Sequence, residues 1–287
     1  MKKTVLITAA LFAGSVAFAQ TGEITSNRGE NWLSQDGDWG LTFDASPLLN
    51  YAGNLFNGNL NNGNVALNNL FSSTGAAGIN GNRVVIGGKK LIDANTAYRG
   101  QVRIGFGSTK NTVLVQQAGQ NEPTVTVDDV QKIGFMGIDL GVGMEKRVGS
   151  TRVVGVYGAM FNVGFGSNKT TYEYGNALSA TNQNHSNSFN QGAGVTEAKG
   201  GSTFGLGLRA FAGIEWFCAP KLSLSGEYTW GLAMSSTGFG TTTTESWDTV
   251  NNSVKTTEVE GPTGKKNTFS LDTGVSGASI GVNFYFQ

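Results

Sequence analysis

The chain has 287 residues, with 43 glycines, 4 prolines, 1 cysteine and 1 histidine, and only 14% of it is charged, against about 25% in ordinary soluble domains. Basic and acidic residues balance at 20 each, which argues against nucleic-acid binding; a single cysteine excludes a disulfide framework and any cysteine-built zinc site, and a single histidine disfavours a histidine metal site. High glycine with low charge and little proline leaves two classes, a membrane β-barrel or a surface β-sandwich.

The first element is a leader. Lys2 and Lys3 precede an uncharged apolar run from Val5 to Phe18, which closes on Ala17-Phe18-Ala19. This pattern predicts a cleavable secretory signal peptide over 1–19. No cysteine follows the run to take a lipid anchor, and no later stretch is long and apolar enough for a transmembrane helix. Residues 20–36 are expected to form a periplasmic N-terminal segment and 37–287 the body of the fold.

In chain order, the body then offers eight segments with strand-like texture. Trp39, Leu41, Phe43 and Ala45 alternate with Thr42, Asp44 and Ser46. Arg83–Ile92 is strand-like, but Gly87-Gly88-Lys89-Lys90 leaves its faces ambiguous. Tyr98, Gly100, Val102, Ile104 and Phe106 alternate with Arg99, Gln101, Arg103 and Gly105; Met136, Ile138, Leu140, Val142 and Met144 alternate with Phe135, Asp139, Gly141, Gly143 and Glu145. Val153, Tyr157, Phe161, Val163 and Phe165 oppose Arg152, Gly158, Asn162 and Gly164. Phe204, Leu206, Leu208, Ala210, Ala212, Ile214 and Trp216 oppose Gly205, Gly207, Arg209, Phe211, Gly213, Glu215 and Phe217. The cleanest alternation, Lys221–Met234, puts Leu222, Leu224, Tyr228, Trp230, Leu232 and Met234 against Ser223, Ser225, Glu227 and Thr229. The chain closes with Ile280, Val282, Phe284 and Phe286 against Ser279, Gly281, Asn283 and Tyr285, after a change of phase near Gly277 that reads as a bulge or an exit from the membrane. Soluble strands average about 5–6 residues; these runs suit tilted membrane strands, which need about 9–11.

The connections alternate in length. Asp93–Asn95, Val148–Ser150 and Cys218–Pro220 are short; Asn50–Asn82, Ser108–Val130, Ser167–Gly201 and Ser235–Lys266 are long. An even number of antiparallel strands with short turns at one rim and long loops at the other is the outer-membrane pattern. The fold expectation is therefore all-β: an eight-stranded antiparallel transmembrane β-barrel with short periplasmic turns and four long extracellular loops. The apolar face carries candidate girdle aromatics. Trp39, Tyr98, Trp216, Phe284 and Phe286 fall towards the short-turn rim, and Phe106, Phe204 and Trp230 towards the other. The opposite face carries a candidate lumen charge network of Asp44, Arg99, Arg103, Asp139, Arg209, Glu215 and Glu227, with Lys89, Glu145 and Arg152 placed nearest the wet rims. Eight strands leave room only for side chains, and charges enclosed there must pair.

The leader, the alternating strands and the ending Gly281-Val282-Asn283-Phe284-Tyr285-Phe286-Gln287 resemble small bacterial outer-membrane β-barrel proteins, the OmpA-like transmembrane barrels and the porin-family barrels of Bacteroidota-type bacteria. The resemblance implies location in the cell outer membrane among its lipids, and a last strand read by the barrel-assembly machinery. That signal usually ends in an aromatic residue, and here Gln287 follows Phe286. Cell-wall anchoring, which full OmpA proteins owe to an added domain, does not carry over.

Enzymatic motifs are not evident. His185, in Asn184-His185-Ser186 within a long connection, reads as a solvated loop histidine rather than a base beside a nucleophile. Gly205-Leu206-Gly207 lacks the strand–turn–helix setting of a nucleotide fingerprint, and inner-face glycines are expected to make room for large neighbours. Cys218 reads as a structural thiol, and Asp248-Thr249-Val250 resembles a surface O-glycosylation tripeptide. No cofactor or metal is expected. The function expected is non-enzymatic: a structural or surface-interaction barrel plugged by paired charges. The alternatives are a narrow channel for small solutes, or an accessory subunit that binds an outer-membrane protein partner.

Overall fold

A computed structural model describes residues 24–45, 86–261, 264–272 and 278–287. The leader, the connection Asn50–Asn82 with its apolar residues, and the phase change near Gly277 lie outside these residues. Twelve strands are described: β1 (Trp39–Asp44), β2 (Ile86–Asp93), β3 (Thr96–Gln116), β4 (Thr126–Val148), β5 (Val153–Glu173), β6 (Val195–Lys199), β7 (Thr203–Ala219), β8 (Leu222–Thr237), β9 (Thr241–Asp248), β10 (Ser253–Glu260), β11 (Lys266–Asp272) and β12 (Ala278–Phe286). Eight of them pair antiparallel in a ring, β1–β2–β3–β4–β5–β7–β8–β12 and back to β1. The closure Trp39↔Phe286 to Asp44↔Gly281 joins the first strand to the last. A closed ring satisfies the backbone groups that an open sheet leaves unpaired at its edges.

All eight ring strands coincide with the strand-like segments of the sequence, but three of the four long connections differ from open loops. The β3–β4 ladder runs without a register shift from Thr96↔Lys146 to Gln116↔Thr126, so the expected loop Ser108–Val130 is mostly paired strand. β5 continues to Glu173 and takes β6 alongside it, and the hairpin β9–β10 extends the sheet from β6. β11 pairs with β8 directly above β12. The reason is chemical: these stretches are rich in threonine and other polar strand-formers, such as Thr241-Thr242-Thr243-Thr244. A strand wet on both faces needs no apolar period, so the alternation that marks the lower strands is lost there while the pairing persists.

The ring's interior is filled from the short-turn end. Leu91, Ala97, Val154, Val156, Phe217 and Tyr285 form an apolar layer there, and Leu33, Ile24 and Trp32 of the N-terminal segment pack against it. Lys221 at the β7–β8 turn ion-pairs with Asp38, and its backbone N–H donates to the Trp32 carbonyl at 3.1 Å. Residues 24–36, within the expected periplasmic N-terminal segment, thus serve as a packed floor. Inner-face glycines let the walls carry large side chains. A Cβ on Gly158 would meet the Met144 carbonyl oxygen at 1.9 Å and the Phe211 ring at 2.8 Å, and one on Gly143 would meet the Met160 side chain at 2.6 Å.

Candidate functional site

The densest chemistry lies inside the ring, above the apolar floor. Period-2 alternation sends Lys89 of β2, Arg99 of β3, Glu145 and Arg147 of β4, Glu215 of β7, Glu227 of β8 and Tyr285 of β12 inward from six different strands. Lys89 Nζ is 3.0 Å from Glu145 Oε2 and 3.6 Å from Glu215 Oε2. Arg147 Nη1 bridges the same two acids, 2.7 Å from Glu145 Oε1 and 2.9 Å from Glu215 Oε2, and also donates to the Tyr285 hydroxyl at 3.1 Å. Arg99 Nη1 reaches Glu145 at 3.3 Å and Glu227 at 3.0 Å, and its guanidinium lies 4.3 Å from the Phe211 ring centroid. Tyr285 donates to Glu215 Oε1 at 2.6 Å, and Ser223 donates to the same oxygen. Asn283 links Ser223 to Thr42, at 3.1 and 2.7 Å.

This cluster holds three bases and three acids. Glu145 and Glu215 are wholly excluded from solvent (0% exposed), where a lone charge would be far too costly and only paired, hydrogen-bonded charges persist. One layer further up, Arg103 pairs with Asp139 at 3.3 Å, and Arg209 donates to Gln101 at 2.8 Å and to the Met160 sulfur at 3.2 Å.

The apolar face points outward all round the ring. Trp39, Tyr98, Phe106, Phe204, Trp216, Trp230, Phe284 and Phe286 all face outward, exposed from 39% for Trp230 to 81% for Phe106. Trp39 packs under Lys90, whose Nζ is 4.6 Å from the ring centroid. Trp230 stands opposite Ala210, midway between Phe204 and Trp216 on β7, rather than near the far rim.

A second polar centre lies at the long-connection end, on the other side of the sequence's expectation. Asp129 of β4 is fully buried and accepts from Ser186, Ser188 and the Gly175 N–H (3.0 Å), pinning residues 174–194 to the sheet. His185 stacks on Tyr174 with ring centroids 4.0 Å apart, 3.6 Å from Glu245. Its side chain is only 8% exposed, so it is a packed histidine and not a solvated one. Ser186 donates its hydroxyl to Asp129.

Comparisons with known proteins add little detail. No family model matches the chain, and no curated protein matches it. Among solved structures, the chain is similar to the outer membrane protein OprG from Pseudomonas aeruginosa, at 10% identity and a TM-score of 0.33, over 89% of this chain and 99% of that one. The ring described here rests on the chain's own strand pairing.

The candidate lumen residues Arg99, Arg103, Asp139, Arg209, Glu215 and Glu227 all face inward, and Arg99, Glu215 and Glu227 meet in the central cluster. Asp44 pairs with Gly281 through its backbone, and its side chain lies outside the described residues. Two expectations need correction. Lys89 and Glu145 belong to the cluster's centre, not to a wet rim, because their strands extend two residues or more beyond them towards the floor. Arg152 does take the rim, stacked 4.0 Å over Trp32 and donating to the Phe217 carbonyl at 3.0 Å. Arg147 was missed altogether. The signal was there: it shares the parity of Glu145, one inward step further along β4.

Proposed function

We propose that the protein is an outer-membrane β-barrel, closed to general diffusion, with a non-enzymatic structural or surface-interaction role. The short turns then lie in the periplasm and the extended sheet of β3–β6 and β9–β10 stands outside the cell. The observation that carries this reading is the dry, charge-balanced cluster of Lys89, Arg99, Arg147, Glu145, Glu215 and Glu227 stacked on an apolar floor. A water-filled pore keeps its lining charges hydrated and has no need to neutralise them in pairs, whereas a plugged interior does. The outward apolar band with its aromatics supports a lipid surround. Kinship with OmpA-like or porin-family barrels belongs to this proposal, supported by the ring and by the aromatic alternation of β12. Recording from planar lipid bilayers tests it: the refolded chain should give no steady unitary current. Steady channels would replace this reading with the narrow-channel one.

A further inference from the structure

The outer face of β3–β6 sorts its charges by height above the apolar band. Lys110 stands four residues beyond the outward Phe106 on β3, Lys132 four residues from Met136 on β4, and Lys169 four residues beyond Phe165 on β5. The positions between them on this face are Ser108, Gly134 and Ser167, all small. Four residues rise about 14 Å along a strand, or about 10 Å in height once the strand tilts by about 40°, which crosses a headgroup layer about 5–8 Å deep and lets the lysine stems reach back into it. Cross-strand register gathers the lysines into one patch: Lys110 is directly opposite Lys132, and Lys169 directly opposite Lys199.

Like charges set opposite each other destabilise a sheet unless something neutralises them. The carboxylates on this face stand farther out. Lys132 pairs with Glu173, and Lys169 and Lys199 share Glu197 at 2.6 and 2.7 Å, while Lys110 makes no ion pair among the described residues. Glu197 is opposite Thr171, one step above Lys169, and Glu173 is a step beyond that. The next acids on this face are Asp128, four residues beyond Lys132 on β4, and Glu258 and Glu260 on β10, two strands past β6. On the opposite wall, the outward positions beyond Phe204 and Met234 are Ser202 and Ser236. The lysines are therefore a one-sided patch at the edge of the band, with Phe106 and Phe165 below for acyl chains and small residues between for a headgroup.

We propose that Lys110, Lys132, Lys169 and Lys199 form a docking surface for the phosphate groups of an anionic lipid in the leaflet nearest the long-connection end. This rests on the membrane reading above and adds to it a specific lipid class. Basic clusters beside an apolar band attract anionic headgroups in this way.

The test uses the full chain refolded in detergent doped with phosphatidic acid or with phosphatidylcholine, then washed and examined by native mass spectrometry for retained lipid. Wild type should retain phosphatidic acid and not phosphatidylcholine. The triple variant Lys110→Gln/Lys132→Gln/Lys169→Gln should lose at least about tenfold of that retention, while Lys255→Gln/Lys265→Gln should not. Equal retention in the triple variant, equal loss in the control variant, or displacement by millimolar inorganic phosphate would each overturn the proposal. A heat-modifiable band and vesicle insertion are read in the same samples. Insertion without lipid retention defeats the docking surface alone; failure to insert defeats the membrane reading and the docking surface with it.

Discussion

At the short-turn end, six ionised side chains from five strands are sealed between an apolar floor and the barrel wall, and each carboxylate meets at least one cation within 3.3 Å. At the long-connection end the ion pairs Lys132–Glu173, Lys169–Glu197 and Lys199–Glu197 have comparable geometry, yet their lysines are about half exposed. Similar distances therefore describe different energetics. In water the pair competes with hydration and contributes about 0–1 kcal/mol. In the sealed interior the pair is obligatory, because the alternative is a bare charge.

The largest expected effect follows from that contrast. Among the described residues, Arg147 is the only cation besides Lys89 within salt-bridge distance of both Glu145 and Glu215, and of the two it alone also bonds Tyr285. Arg147→Ala should lower the unfolding free energy by about 3–5 kcal/mol, read as a lower urea midpoint of the barrel in lipid vesicles. An unchanged midpoint would mean that water reaches the cluster, and would erase the distinction between the two ends.

The sequence carried the ring but not its reach. Where one face meets an apolar surround and the other a packed interior, odd and even residues differ sharply, and β7 and β8 could be assigned residue by residue. β2 resisted because glycine and lysine pairs break the alternation, although Lys89 and Leu91 face inward and Ile86 and Ile92 outward. Above the band the period fades, so the paired stretches Ser108–Gln116 and Thr126–Val130 looked like loop. Within the site, parity found the inward charges, but it could not rank them. Burial depth depends on strand stagger around the ring, which is why Lys89 and Glu145 were placed at the rim and Arg147, the last residue before the Val148–Ser150 turn, was left out of the alternation. The N-terminal floor had no periodic signal at all, since Trp32 and Leu33 act as isolated anchors in an irregular segment.

A smaller, local effect belongs to the other end. Asp129 depends on Ser186 and Ser188 for two of its three donors. Ser186→Ala/Ser188→Ala leaves a buried carboxylate short of partners, at a cost of about 1–3 kcal/mol. Because residues 174–194 lie outside the ring, that cost should appear as faster protease cleavage within them, with the urea midpoint of the barrel unmoved. A fall in the midpoint comparable to that of Arg147→Ala would show that the two ends unfold as one unit.

The smallest effect is a titration. Hydrogen bonds from Lys169 first, then Lys199, hold the Glu197 carboxyl below its ordinary value of 4.5. A folded-state value lower than the unfolded one means that the pairing contributes stability above pH 4.5 and loses it as the pH falls through the lowered value. Since the carboxyl is largely in water, the contribution is small, and the barrel's midpoint should not follow it. Carboxyl carbon NMR of labelled glutamate should place the Glu197 midpoint below 4.5 in wild type, rising towards 4.5 in Lys169→Gln/Lys199→Gln. If the double variant leaves that midpoint where it was, β6 does not hold these lysines over Glu197. The outer end would then differ from the sealed cluster in order as well as in hydration.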